Sequence, residues 1–339
     1  MKIIFVLAFL SLSTYLSIGQ TFANSLNEIV PNYDTNYIKS YTDHLGIYPY
    51  ALRKYRSYGL RNKELKTKLK FEPNGQTNLG LGFNYKWINL GFSTDFEFMN
   101  KDNDEYGQTT SLDFQLSAFS RYFGLSAHYQ KYIGFYLSNP DDFSDWNETY
   151  YPYISDLQSS SLGLSLFYFF NNKKFSYKAA YIRNEVQKKS AGGFVLGAYA
   201  DIDVVYAPSG FVPNELPDSL NQLFSFNGYS TYVAGLSFGY TYTLVFLKRF
   251  FVNLSLVPGV GYRTLSIWHV SSNKETEPNL TGLLNTRFSI AYEGKHMYFG
   301  FSSVSNNESF KYESIDISSN SGLVRLYLGK RFHFGRKGS

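Results

Sequence analysis

Apolar and polar residues alternate along most of this chain with a period of two. The pattern is sharpest over residues 112–137. There Leu112, Phe114, Leu116 and Ala118 alternate with Asp113, Gln115 and Ser117. Past a turn at Arg121 and Tyr122, a second run from Phe123 to Leu137 alternates in the same way. Successive side chains of an extended strand point to opposite faces, so each run has one apolar face and one polar or small face. The second run is far longer than the about five or six residues of a typical soluble strand. It exceeds even the about nine to eleven that a tilted strand needs to cross a bilayer.

The unit recurs to the end of the chain. Leu65, Thr67, Leu69 and Phe71 alternate with Lys66, Lys68 and Lys70; Leu79, Leu81, Phe83, Tyr85 and Trp87 follow with Lys86 on the other face; then come Leu90, Phe92, Phe96 and Phe98 opposite Asp95 and Glu97. Hairpins are expected at 162–170 with 175–181, 232–244 with 250–256, and 284–292 with 297–301, and single strands at 194–204 and 324–334. This predicts an all-β fold, a transmembrane up-and-down antiparallel β-barrel over residues 51–334. Bacterial single-chain barrels have even strand numbers, which makes twelve the first count and fourteen the second. Two stretches keep the count open. Residues 52–61, basic and Tyr-rich, are either the first strand or a lumen segment. Between Phe175 and Tyr232, either 194–204 does not span, or 208–227 hides a crossing or folds into the lumen.

Connections alternate in length, as expected of short periplasmic turns and long external loops. The short ones carry Arg121, Lys173, Lys174, Lys248, Arg249, Glu293 and Lys295; the long ones are expected at 99–109, 138–158, 265–279 and 305–321. The 138–158 loop holds Asp141, Asp142, Asp145, Glu148 and Asp156 without a Lys or Arg, and reads as solvated surface.

Composition sharpens this picture. Aromatics make up 19% of the 339 residues, which suits the girdles of a membrane barrel. The mean hydropathy of −0.26 is no objection, because only alternate residues of each strand meet lipid. Past the N-terminus no apolar run approaches the about eighteen residues of a membrane helix. The absence of cysteine excludes disulfides, thiolate metal sites and a lipoprotein anchor. A net charge of +5 is too slight to point to nucleic acid. Residues 1–20 have the form of a signal peptide: Lys2, an apolar stretch at 3–10, and small-residue cleavage sites ending at Gly19 or Ala23. Residues 21–50 read as a polar periplasmic leader, and 335–339 as a short tail.

With apolar faces turned to lipid, the opposite faces place Lys66, Lys68, Lys70, Lys86, Arg287, Arg325 and Arg331 in the lumen with Asp95, Glu97, Asp113 and His128. Closure sets the first strand beside the last, so Lys66, Lys68 and Lys70 are expected next to Arg325 and Arg331 as a basic wall. Such charges can steer polar solutes through a pore, or pair with one another in a filled interior; the filled interior is the leading expectation. If Ser120 pairs with Phe123, His128 lies opposite Gln115 and Gln130 opposite Asp113, with Ser117 and Ser126 close by. That is a polar belt any barrel could carry, so no catalytic residue is expected. His44, His269, His296 and His333 show no metal-ligand spacing, and no metal or cofactor is expected.

Two stretches carry a family resemblance. The run from Asp34 through Asn36, Tyr37, Ile38, Lys39, Ser40 and Tyr41 to Lys54-Tyr55, and Phe71-Glu72-Pro73-Asn74 followed by Asn78-Leu79-Gly80-Leu81-Gly82, resemble a Gram-negative family, domain of unknown function 4421. The resemblance covers most of the chain beyond the signal peptide. It implies an outer-membrane β-barrel and supplies no catalytic residues. Tyr327, Gly329, Phe332 and Phe334 resemble the C-terminal signal read by the barrel-assembly machinery, although five residues, Gly335 to Ser339, follow the last aromatic. The expected protein is thus an integral outer-membrane barrel of a Gram-negative bacterium, a narrow polar-solute pore or an envelope scaffold. A surface receptor or adhesin acting through the acidic loops is the alternative, and a barrel hydrolase ranks third. Its expected partners are membrane lipid, lipopolysaccharide and the assembly machinery, with no nucleic acid.

Overall fold

The computed structural model describes residues 32–75, 77–85, 88–95, 102–269, 273–275 and 278–333. The signal peptide, the start of the leader, the 335–339 tail, Lys86, Glu97 and Phe334 lie outside the described residues. The described chain is strand almost throughout. In order these are β1 (Ile38–Ser40), β2 (His44–Asn62), β3 (Thr67–Glu72), β4 (Thr77–Tyr85), β5 (Ile88–Asp95), β6 (Thr110–Phe119), β7 (Phe123–Leu137) and β8 (Tyr153–Phe169). After them come β9 (Glu185–Gln187), β10 (Ala191–Tyr206), β11 (Gly228–Phe246), β12 (Phe250–Trp268), β13 (Asn273–Glu275), β14 (Asn279–Glu293), β15 (Met297–Tyr312) and β16 (Ile315–His333).

Ten of these strands form a closed antiparallel ring, β2-β16-β15-β14-β12-β11-β10-β8-β7-β3 and back to β2. Strands β4, β5 and β6 lie off the ring, and among the described residues β13 pairs with β12 alone. The ring thus closes with ten strands rather than the expected twelve; twelve is reached only as a count of traverses, with β3 and β4 taken as two halves of one. Strand β3 lies along the second half of β2, from Asn62↔Thr67 to Tyr58↔Phe71, and β4 along its first half, from Arg53↔Thr77 to Gly46↔Asn84. Pro73, which has no N–H to give a ladder, interrupts them. What differs from a plain twelve-stranded cylinder is the closure. Strand β3 pairs directly with β7 through Phe71↔Leu137 and Glu72↔Tyr136, while lower down β5 pairs with β4 and β6 with β7. No ladder joins β5 to β6 among the described residues. The switch in the partner of β7 falls at Gly134, whose φ of +88° suits glycine. The ladder to β8 also shifts register between Ile133 and Phe135, as at a bulge. Asn74 stitches the top of this seam: its amide donates to Asp102 (3.2 Å), Asn103 (3.1 Å) and the Gly107 carbonyl (3.0 Å), and the Thr109 hydroxyl donates to the Gly134 carbonyl (2.8 Å).

The outer face carries the apolar residues that the alternation singled out. Leu162, Leu164 and Leu166, Leu236, Phe238 and Leu244, Leu254 and Leu256, and Leu326 and Leu328 are all exposed. So continuous an apolar band, wrapped round a closed ladder, is a lipid-facing surface. Strand β10 spans with the rest, which settles one of the two open choices.

Three expectations are corrected. Residues 175–181 are not a hairpin arm: Tyr177–Tyr181 is a short helix, capped by Ser176, whose hydroxyl accepts from the Ala179 N–H at 3.1 Å. Residues 305–321 are not a loop, because β15 and β16 run on to a tight turn at Glu313 (φ +52°). Their outward residues there, Ser305, Asn307, Ser309 and Lys311, are polar, so the hydrophobic period disappears where the ladder rises past lipid. Finally, β2 begins at His44, so the barrel takes in the end of the stretch expected as leader. Residues 52–61 are its first strand.

Candidate functional site

Both mouths of the cylinder are closed, by opposite chemistries. At the end we take as external, residues 207–227 fold over the lumen. Phe211, Val212, Leu216, Leu220, Phe224 and Phe226 pack with Leu60, Leu69, Phe71 and Phe135 into one buried apolar cluster. At the periplasmic end, marked by the turns at 120–122, 247–249 and 294–296, residues 170–190 form a plug that carries the short helix and β9. Strand β9 pairs with β1, which ties the leader to the plug. Glu185 is 1% exposed and accepts from Arg121 (2.7 Å), Lys178 (2.9 Å) and the Ser176 hydroxyl (2.5 Å). Burial alone would raise its pKa, but Lys178, Arg121 and Ser176 outweigh burial and hold its carboxyl below the usual carboxylate range. Arg183 donates to the Ala179 carbonyl (3.0 Å), Ser289 (2.6 Å) and Tyr327. Arg331 donates to the Arg183 carbonyl (2.9 Å) and pairs with Glu293 (2.5 Å), which binds the plug to the last barrel strand.

Between roof and plug lies a cavity of about 600 Å³. Its upper wall is a paired network. Lys54 reaches the Asp113 carboxylate (3.1 Å), which also accepts from Gln130 and Tyr132 at 2.7 Å each. Arg56, 2% exposed, donates to Gln130 (3.1 Å), Tyr58 (2.5 Å) and Asp203. Arg263 pairs with Glu308 and donates to Thr281 at 2.6 Å. Buried ions survive only when paired and hydrogen-bonded, and these are. His128 contacts the Ser161 hydroxyl at 2.9 Å and the Asp201 carboxylate at 3.7 Å, both through Nε2. A nucleophile–base–carboxylate triad needs the two partners on different ring nitrogens, and this arrangement does not provide it.

Lower down, the lining changes character. Arg287, 5% exposed, donates to Ser126 (3.0 Å) and Asn285 (3.4 Å) and lies 5.5 to 5.9 Å from the rings of Phe119, Phe167 and Tyr181. Arg325 lies 5.1 Å over the Tyr50 ring, and its Nε is buried without a hydrogen-bond partner. Both line the same cavity.

The expected lumen residues therefore divide. Asp113, His128, Arg287 and Arg325 line the cavity, and Arg331 points inward at the plug. The lysine wall is overturned. On β3 the inward residues are Leu69 and Phe71, buried under the roof, while Lys68 and Lys70 point outward and Lys66 sits in the β2–β3 turn at φ +57°. The apolar face here packs against the roof rather than lipid, which reverses the expected sense. The neighbour of β16 is β2, so Lys54 and Arg56 stand where those lysines were expected. Asp95 is described by its backbone alone, opposite Asn78. Of the C-terminal pattern, Tyr327 is inward and buried, Gly329 faces the Tyr298 ring, and Phe332 is outward and half-exposed. Asp201 and Asp203, inward on β10, were missed although their alternation with outward Ile202 was a usable signal. One set of residues whose donor atoms could hold a metal ion also escaped the spacing test. Register pairs His44 with His333; His44 Nδ1 lies 2.7 Å and His333 Nδ1 3.8 Å from the two carboxylate oxygens of Asp43. These donor types suit a borderline metal ion, and they come together only because the first strand closes on the last.

The model of the domain of unknown function (DUF4421) matches residues 32–332. The chain belongs to this family. No curated protein matches it. Among solved structures, the family member is similar to the outer-membrane protease OmpT from Escherichia coli, at 9% identity over 87% of this chain and 98% of that one, with a TM-score of 0.38. It is similar to the toluene transporter TodX of Pseudomonas putida at 9% identity, 85% and 89% coverage and a TM-score of 0.27. It is also similar to the outer-membrane protein OprG from Pseudomonas aeruginosa at 11% identity, 88% and 100% coverage and a TM-score of 0.24. These are likenesses of general architecture. In its own right the DUF4421 chain is an outer-membrane-type β-barrel, with a lipid-facing band, two closed mouths and a polar chamber between them.

Proposed function

We propose that this protein is an integral barrel of the Gram-negative outer membrane that works as a ligand chamber covered at both mouths rather than as an open pore. The observation that carries this reading is the double cover: an apolar roof and an ion-paired plug lie above and below a cavity of about 600 Å³. A cavity of this size is in the range of small-molecule sites. The role is a binding one. Ser161 and Asp201 both lie toward Nε2 of His128, so these three residues do not make up a nucleophile–base–carboxylate triad. Of the acidic residues at 138–158, Asp156 accepts from Ser209 of the roof at 2.9 and 2.7 Å, while Asp142 accepts from Asn139 of its own loop at 2.6 Å. Lipid and lipopolysaccharide surround the barrel, and the assembly machinery inserts it.

Planar-bilayer recording tests the reading. The purified barrel, its folding checked by heat-modifiable gel migration, is expected to give no steady conductance. A variant whose plug is loosened by Glu185→Ala is expected to give steps. Steady openings in the unaltered protein would overturn the chamber.

A further inference from the structure

Resting on the chamber reading, we infer that the chamber takes an anionic amphiphile from the membrane, its head held by Arg287 and Arg325 and its path the seam between β5 and β6, which no ladder bridges among the described residues. The contrast among the interior arginines supports the first half. Arg56, Arg121, Arg183, Arg263 and Arg331 each have a carboxylate partner. Among the described residues Arg287 and Arg325 have none. Arg287 is satisfied only by neutral groups, and half-buried Arg325 has a ring, Tyr50, in place of a carboxylate and, like Arg263, an Nε without a hydrogen-bond partner. A guanidinium withdrawn from water needs a counter-charge, and its planar fork suits a carboxylate or phosphate. In the ladder Arg287 lies opposite Val304 and Arg325 opposite Ser302, so the two flank one short stretch of β15 and face one cavity. The paired network above supplies no free cation to compete for the head.

The seam supports the second half. Phe92 on β5 (70% exposed) and Phe114 and Leu116 on β6 (64% and 51%) belong to the lipid-facing surface, yet all three line the chamber. A side chain can do both only where the wall is open. With roof and plug closing the two mouths, this is the route left, and its apolar rim suits a hydrocarbon tail. The head then meets the arginines while the tail stays among Phe92, Phe114 and Leu116.

The test titrates the mature barrel in a non-ionic detergent with palmitate, methyl palmitate and acetate, read as bound stoichiometry by native mass spectrometry. One palmitate is expected to bind saturably, with the methyl ester at least about tenfold weaker, since a lost charge-assisted pair is worth about that factor or more, and acetate weaker by a similar factor of about ten or more, since it lacks the apolar tail. Arg287→Gln with Arg325→Gln is expected to lower palmitate affinity at least about tenfold, and outward Lys311→Gln to leave it unchanged. If the double variant fails to migrate as a folded barrel, the single lysine variants Arg287→Lys and Arg325→Lys replace it, with a smaller loss expected. Ester binding equal to palmitate, or affinity indifferent to both arginines, would overturn the proposal. Acetate binding as tightly as palmitate would overturn the membrane as the source. A barrel that stays silent in bilayers while failing these arms loses only the ligand assignment; one that conducts loses the chamber itself.

Discussion

The two mouths of this barrel are shut in ways that respond to different insults. The roof is a cluster of interlocked apolar side chains, Phe211, Val212, Leu216, Leu220, Phe224 and Phe226 against the upper lumen wall. The plug is held by a buried carboxylate gripped by two cations and a hydroxyl, and by an arginine–glutamate–arginine cluster beside it. Apolar packing is indifferent to pH and fails by cavity formation. A buried ion cluster fails when one member is removed or neutralised. One end is therefore built for permanence, and the other can be undone by chemistry.

Removing one partner separates the ends most strongly. Glu185→Ala removes the buried carboxylate that Arg121 and Lys178 share, a loss of about 3–5 kcal/mol. Trypsin is then expected to cut at Lys173, Lys174, Lys188 or Lys189 in an otherwise folded barrel; unchanged resistance would mean the ion cluster does not hold the plug. Leu216→Ala in the roof is expected to cost about 2–5 kcal/mol. It should speed hydrogen exchange over 207–227 and leave the plug's trypsin resistance as it was. The third difference is pH. The folded pKa of Glu185 lies below its ordinary value, so its contribution is fully present above the ordinary carboxylate range and is lost as pH falls through the lower folded value. Acidification should therefore reduce hydrogen-exchange protection over 177–187, after correction for intrinsic rates, and spare 211–226. Equal loss at both ends would break the contrast. Smallest is Ser176→Ala, which removes the helix cap for about 1 kcal/mol and should loosen Tyr177–Tyr181 measurably less than Glu185→Ala does.

The wall was legible in the sequence because lipid imposes one rule on every outward position, and β7, β8, β11 and β12 obey it. The roof and plug were not, because nothing periodic marks a segment that packs by shape. Phe175 to Tyr181 even imitates a strand in its spacing of aromatics, and only Ser176 hints at a helix start. At β3 the two faces were read correctly and their sense reversed, since Leu69 and Phe71 find apolar partners inside. The lower site was half legible: Arg287 and Arg325 stood out as inward cations, but their lack of carboxylates depends on which strands face one another. His44 and His333 needed the closure itself.

That closure has a consequence for biogenesis. The first long strand, β2, takes the final one, β16, as a neighbour along nearly its whole length, from Asn62↔Ile315 to His44↔His333. No shorter product of translation can complete the circle. A chain cut before Ile315 presents two bare β edges of the kind that recruit other chains, so premature termination should yield aggregates rather than smaller cylinders.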